Sequence, residues 1–423
     1  MTLVPDKELA KASPLTLDTQ FADLPKEIEF CNNCVVSNQR PRTLFNEQGI
    51  CNACQWSWEK DHAVDWESRE KELQALCDRH RRNDGSWDVV VPGSGGKDSV
   101  YVAHQLKHKY GMHPLCVTWS PFEYTDIGWK NLQAFIHSGF DNLTAQPNQI
   151  VHRKLARLAF DLLGDAWQPF TYGQKAWAFH VAVRFGINLI FYGENGEVEY
   201  GGSQAYKNKP CEGPEEWERE YFKGAAVDKL IEQGLESGVF SHDEVYGERM
   251  QLYRPPDPNV VAEQGTEMHW FSYYRKWVPQ ENFYYGMTHA LLETNNFGRS
   301  EATYTKYASL DDKADGFHFY LGYMKFGLGR CSRDAQQDIR RHHITRDEGV
   351  ALVQRYDHEL PTRYLRWFLD YLDVTEERFW EVMDKYRSVS NAWEQVHGAW
   401  KLKAIVQSKN PNASKQLGIP QAA

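Results

Sequence analysis

Asp88-Val89-Val90-Val91-Pro92-Gly93-Ser94-Gly95-Gly96-Lys97-Asp98-Ser99 is the stretch that decides how the chain is read. The short apolar run predicts a buried strand, and the glycines after it end the strand and open a tight turn. Val100, Tyr101, Val102 and Leu106 follow at helical spacing. The unit is therefore strand, loop and helix, with a loop that can set several backbone N–H groups and two hydroxyls around an anion. Glycine is needed where any Cβ would hold the backbone away from phosphate oxygens, and the helix N-terminus adds partial positive charge. Lys97 supplies a full charge, and Asp98 can hold Mg²⁺ on the same phosphates. The loop is not of Walker A form, which needs four residues between its first glycine and the Gly-Lys pair.

Composition narrows the partners. The chain has 423 residues, enough for two domains or one large α/β domain with insertions. With 58 acidic and 48 basic residues its formal net charge is −10. A partner held through a phosphate backbone calls for a basic surface, so nucleic acid is not expected, whereas a small anion in a local basic pocket is compatible. No run approaches the roughly 20 apolar residues of a membrane helix, and the N-terminus has no apolar secretion signal. The expectation is a cytoplasmic chain with no membrane span.

Cys31-Asn-Asn-Cys34, sixteen intervening residues and Cys51-Asn-Ala-Cys54 account for four of the eight cysteines. Two-residue gaps let each pair pinch one metal, and two such knuckles complete a tetrahedral thiolate site of zinc-ribbon spacing. Structural Zn²⁺ is the favoured occupant. An iron–sulfur cluster and a redox pair are the alternatives four thiolates leave open.

Taken in order, residues 1–29 predict an N-terminal arm, 30–58 the ribbon, and 59–200 an α/β nucleotide-binding domain entered through amphipathic helices over about 55–83. Strands are expected at 88–92, 115–119, 143–145 and 187–192, with helices at 125–139 and 149–186, the latter broken near Gly164 to Pro169. Such alternation specifies a parallel sheet with helices on both faces. Ligands in such sheets sit beyond the carboxyl ends of the strands, so Ser94–Ser99, Trp119-Ser120 and Gly193-Glu194-Asn195 should share one crevice. Residues 201–400 predict a substrate-binding insertion followed by a helical C-terminal region, and 401–423 a flexible tail. Residues 201–300 read as an insertion or a lid, whose aromatic run at 269–275 suits core packing and sugar stacking equally. From residue 298 onward, cations and carboxylates are interleaved with Tyr, Phe and Gly, as in the lining of a polar-ligand site.

Ser94-Gly-Gly-Lys-Asp-Ser99 resembles the PP-loop of the ATP pyrophosphatases. With the paired cysteines, Gly193-Glu-Asn195, the Arg299 to Tyr307 run, Ser309-Leu-Asp-Asp-Lys313, Lys325 to Arg330 and Asp338-Ile-Arg340, the chain resembles the N-acetyl sugar amidotransferases of that superfamily. Two features depart from the family pattern: His342 stands where members usually carry glycine, and the N-terminal arm is longer. The resemblance implies an adenine nucleotide hydrolase-like fold and an ATP-dependent, AMP- and pyrophosphate-forming synthetase. It would adenylate the acetamido oxygen of an N-acetylated, nucleotide-linked sugar and replace it with ammonia, giving an acetamidino sugar for lipopolysaccharide O-antigen or a related glycan. ATP, Mg²⁺ and Zn²⁺ are the implied cofactors. Ser94, Gly95, Gly96, Lys97 and Ser99 would hold the departing pyrophosphate, with Trp119 and Gly193 beside the nucleotide. Asp98 and Glu194 would hold Mg²⁺, and Asn195, Asp311 and Asp312 would complete the catalytic set. Arg299, Tyr304, Lys306, Lys325 and Arg330 would line the sugar side.

Ammonia needs a source. None of Cys77, Cys116, Cys211 or Cys331 sits on the glycine-flanked turn of a glutaminase nucleophile, and residue 2 is Thr. A separate glutaminase partner is therefore expected, which the resemblance also implies. The competing enzyme reading is a PP-loop tRNA thiolase, which calls for a basic face and a reactive cysteine near the site. The competing non-enzyme reading is a zinc-ribbon scaffold that binds ATP without catalysis.

Overall fold

A computed structural model describes residues 17–409 except 214, 215, 219 and 220. In chain order the ribbon leads into α1 (Asn52–His62) and α2 (Trp66–His80), then β1 (Val89–Pro92), α3 (Lys97–His104), β2 (Pro114–Trp119), α4 (Asp126–His137) and β3 (Asp141–Ala145). Two long helices, α5 (Gln149–Leu163) and α6 (Gln168–Phe185), precede β4 (Leu189–Tyr192) and the short α7 (Gly196–Tyr200). After α8 (Val227–Glu236), α9 (His242–Tyr246) and α10 (Pro258–Gln264) come β5 (Glu267–Trp270), α11 (Phe271–Tyr274) and α12 (Pro279–Ala290). The C-terminal part holds α13 (Asp315–Phe326), α14 (Arg330–Arg340), α15 (Arg346–Tyr356), α16 (Leu365–Leu372) and α17 (Glu376–Val389), closed by the hairpin β6 (Trp393–Val396) and β7 (Ala399–Leu402).

The five strands form one parallel sheet in the order β3-β2-β1-β4-β5. The valines of β1 show why it lies at the centre. Val90 enters the core built with α5 and α6, while Val89 and Val91 enter the opposite core with α2, α3 and α12. A strand buried on both faces must be apolar throughout, as parallel sheets require. The chain winds outward from β1 to β3, then returns to place β4 on the other side. The reversal between β1 and β4 is the topological switch where ligand crevices open.

Three expectations change. Residues 201–300 do not form a lid: β5 supplies the sheet's edge strand and α12 packs on α3, so the α/β layer extends past residue 200. The strand was hidden because only four residues pair, on one side, within a glycine- and proline-rich stretch. Residues 17–29 of the predicted arm are docked, with Phe21 5.4 Å from the Phe326 ring and Asp18 buried. Residues 401–409 are docked too, since Val406 is buried and its carbonyl accepts from Gln354. The outer parts of both predictions, 1–16 and 410–423, lie outside the described residues. Among the described residues no helix is long and apolar enough to cross a membrane.

Lys325 was expected against the sugar. Its ammonium is buried, ion-paired with Asp18 and donating to the Leu163 carbonyl at 2.8 Å, while the side chain also lines a cavity beside the sheet crevice. It anchors the N-terminal segment to α13. Breaking a buried pair strands a charge, at a cost of about 3–5 kcal/mol. Asp18→Ala should therefore lower the midpoint of chemical denaturation strongly, and Asp18→Ala combined with Lys325→Met should recover much of the loss.

Candidate functional site

The glycine loop leaves β1 at the switch point. Gly95 has φ +84°, and a Cβ there would lie 2.5 Å from the Leu132 backbone, so only glycine lets the loop fold down onto α4. Gly96 caps α3, which aims the first N–H groups of that helix into the crevice. Gly128 does a similar thing on α4, where a Cβ would meet Asp311 Cα at 2.5 Å. The close approach brings residues 309–311 over the loop, and Ser94 Oγ donates to Asp311 Oδ2 at 2.5 Å.

The crevice has a volume of about 430 Å³, and a polar recess of about 300 Å³ shares much of its wall. Ser94 through Ser99, Gly193, Glu194, Asp311 and Arg330 line it. Lys97 Nζ lies 2.5 Å from Asp98 Oδ2, and Asn282 donates to Asp98 Oδ1 at 3.2 Å. Burial works against the Lys97 charge, but Asp98, Tyr200 and Glu194 hold its pKa above the ordinary lysine value. Burial pushes Glu194 up to about 7, with Asp98 adding to the shift and Lys97 opposing it. Burial also raises Asp311, helped by Asp315. Such displaced carboxylates in a cleft are the pattern of chemical sites. Asp98 and Glu194 face the glycine loop as a hard-oxygen pair suited to a divalent cation on phosphates.

Six other expected residues stand elsewhere. Asn195 caps α7, its Oδ1 accepting from the Glu197 and Val198 N–H groups. Asp312 is buried, and its carboxylate accepts from the N–H groups of Phe122 and Ala314. Trp119 is buried against Gly173 and does not line the crevice. Arg299 makes a two-pronged pair with Glu359, and Tyr304 donates to Asp338 at 2.5 Å. Lys306 is exposed. Trp119 and its expected companion Ser120 both stay out of the crevice, whereas the other five belong to motifs with a neighbour that reaches it, and the helical or turn geometry decides which member points inward.

The structure brings in residues that motif reading missed. Arg333 lines both the crevice and the recess, with its guanidinium 4.0 Å over the Tyr200 ring. Tyr307 and Asp315 join it, and Lys175 enters from α6 with Trp270 and Tyr221. Trp270 thus gives the aromatic run a wall position as well as a core one. Lys175 shares α6 with Gln168, Gln174, His180 and Arg184, and nothing in the local sequence singles it out.

The four ribbon cysteines are buried, with their Sγ atoms all within 4.8 Å of one another. The Cys31–Cys54 and Cys34–Cys51 separations are 3.9 and 3.7 Å. Thiolates about 2.3 Å from a tetrahedral zinc would lie about 3.8 Å apart, so the cluster fits that ion. Cys31 Sγ accepts N–H groups from Asn33, Cys34 and Cys51, which stabilises thiolate charge. The knuckles pack on α14 and α15 through Cys331, Ala335, Ile339 and Val350. From the turn between them, Arg42 donates to Glu197 at 2.7 Å, and Asn52 donates to the Gly202 carbonyl at 2.7 Å. The ribbon therefore grips α7, the helix that follows Glu194.

These features define an α/β protein with a glycine-rich loop at the sheet switch point and a buried four-cysteine cluster that could hold zinc. Residues 301–407 match the family described as LPS biosynthesis protein WbpG-like, C-terminal domain. That match supports a role in lipopolysaccharide-related sugar biosynthesis and suggests an enzyme. The chain is also similar, 29% identical over 89 residues, to an uncharacterized protein, MJ1599, of Methanocaldococcus jannaschii. The similarity covers 21% of this chain and 31% of that protein. His342 has φ +60°, a left-handed conformation that glycine adopts without strain, which explains why glycine is usual there.

A raised carboxyl pKa means the folded site holds its proton until the pH nears 7, and only the ionised form binds a cation. Affinity of the crevice for a divalent cation should thus rise with pH through neutrality, with Lys97, Asp98 and Arg333 as the facing charges and Tyr200 neutral beside them. Calorimetry on Glu194→Gln should show that slope flattened. Metal analysis should find one zinc per chain, and its chelation should speed amide hydrogen exchange in 196–202.

Proposed function

We propose that the chain is an ATP-dependent amidotransferase, the synthetase half of a two-protein system, acting on an N-acetylated sugar. One observation carries the reading: the glycine loop, Asp98, Glu194 and Asp311 converge on one crevice that the WbpG-like C-terminal region completes through Arg330 and Arg333. An acetamido carbonyl is a poor electrophile with a poor leaving group, and adenylation of its oxygen remedies both. The loop N–H groups, Ser94, Ser99 and Lys97 would stabilise pyrophosphate as charge builds on it. Mg²⁺ held by Asp98 and Glu194 would neutralise the phosphates. Ammonia from a glutaminase partner then displaces AMP and leaves an acetamidine.

For the acceptor, a neighbouring cavity of about 310 Å³ adjoins the crevice at Arg333, Thr171 and Tyr221 and is walled by Arg40, Arg42 and Lys223. Arg42 and Lys223 are paired there with Glu197 and Asp165, so a carboxylate or diphosphate arm of the acceptor would exchange for those carboxylates. A thiolase is disfavoured because no cysteine lines the crevice or the recess among the described residues. The ribbon serves as a clamp on α7 rather than as a redox centre.

Incubation with ATP, ammonia and a panel of diacetamido sugars, free and nucleotide-linked, should yield AMP and a product lighter by one mass unit. Lys97→Met and Asp98→Asn should each lower turnover by about 10²–10³-fold, the usual effect of removing one charge-stabilising group. ADP in place of AMP would refute the reading.

A further inference from the structure

Lys175 is the least expected group in the crevice. The residue is 5% exposed, and its Nζ has no hydrogen-bond partner. The rings of Tyr221, Trp270, Tyr192 and Trp217 surround it at 3.9, 4.4, 4.7 and 5.4 Å. Leaving a buried amine without an acceptor is costly, and a position with only a packing role is better filled by methionine or leucine. Yet the side chain lines the same crevice as Ser94, Asp98 and Glu194. A cage of π faces steadies the ammonium when it forms, while burial favours the free amine. The net effect lowers its pKa to about 8, burial being the main cause, with Glu212 and Glu194 opposing it. The titratable groups around it are Tyr192 of β4, Glu194 after β4, Glu212, Tyr221 and, across the crevice, Lys97, Asp98 and Arg333.

We propose that Lys175 is the proton acceptor for the nitrogen nucleophile. The inference rests on the amidotransferase reading above. As the ammonia lone pair forms the new C–N bond at the adenylated acetamido carbon, the added nitrogen becomes cationic. Lys175 Nζ takes one of its protons, and the N–H pair stays on nitrogen. The C–O bond to AMP then breaks, with its electron pair leaving on the phosphate oxygen, and the amidinium remains. The Lys175 ammonium, steadied by its rings, passes the proton to pyrophosphate or water as products depart. A base with this placement and this pKa is matched to work near neutrality.

The test compares two nucleophiles. Hydroxylamine needs little help, because its nitrogen is far more acidic once added and sheds its proton to water. Lys175→Met and Lys175→Gln should lower ammonia-dependent turnover by about 10²–10³-fold but hydroxylamine-dependent turnover by less than about tenfold. The limb of the ammonia pH profile near 8 should also disappear in both variants. Equal losses with the two nucleophiles, or an unchanged ammonia rate, would overturn the assignment. Acceptor-dependent exchange of labelled pyrophosphate into ATP by the unaltered protein separates the two levels. Exchange with equal losses removes only the role of Lys175, whereas no exchange with any acetamido sugar removes the amidotransferase reading and this inference with it.

Discussion

Two buried carboxylates on the five-residue helix α7 hold the molecule together around its site. Glu199 receives Lys60 at 2.6 Å from the ribbon-side helix α1, Trp56 Nε1 at 3.2 Å, and Arg341 at 3.2 Å from the end of α14. Its own carbonyl accepts from Arg340 at 2.8 Å and Gln337 at 3.1 Å. Glu197 receives Arg42 from the turn between the knuckles. Charges this deep are tolerated only when each is paired and its remaining lone pairs are used. The pairing therefore fixes three parts of the chain at once: ribbon, sheet loop and C-terminal helices. Glu194 lies just before α7, so its position is tied to that network.

The cysteine cluster gains its meaning from that network. A four-thiolate centre has no open position for substrate. What it would supply is stiffness to a segment with little regular structure, whose strand pairing among the described residues is two isolated bridges, Phe30–Ser37 and Phe45–Cys51. Arg42 sits at φ +64°, a conformation a bulky residue adopts only when its surroundings impose it. Thr43 Oγ1 donating to Gly201 at 2.5 Å and Asn52 to Gly202 supply that constraint. The cysteine knuckles, the turn and α7 thus form one unit, and Arg40, Arg42 and Glu197 of that unit line the second cavity.

The crevice itself separates two kinds of chemistry. Around the loop, Lys97, Asp98, Ser94 and Asp311 are linked by short contacts, so phosphate charge would meet groups already oriented. Preorganisation of this kind is where most electrostatic stabilisation arises. Opposite, Lys175 has rings around it and no acceptor. One wall is built to hold fixed charge, and the other leaves a single amine able to change charge.

The sequence by itself determined the central strand, the glycine loop and the metal knuckles. Val89–Val91, Gly95 and the two Cys-x-x-Cys pairs act through local rules: a doubly buried strand must be apolar, a tight turn at positive φ must be glycine, and a two-residue gap sets the bite of a metal pair. Only the tertiary structure decided which polar residues face the crevice. Asp311 and Asp312 are adjacent letters, yet one meets Ser94 and the other accepts backbone N–H groups. Lys325 and Lys175 are both buried lysines, yet one is paired with Asp18 and the other stands among rings. The physical reason is that the direction of a side chain and the identity of its partner depend on contacts between residues far apart in the chain, such as Lys325 with Asp18 and Ser94 with Asp311. A local pattern of residue types carries no record of those contacts.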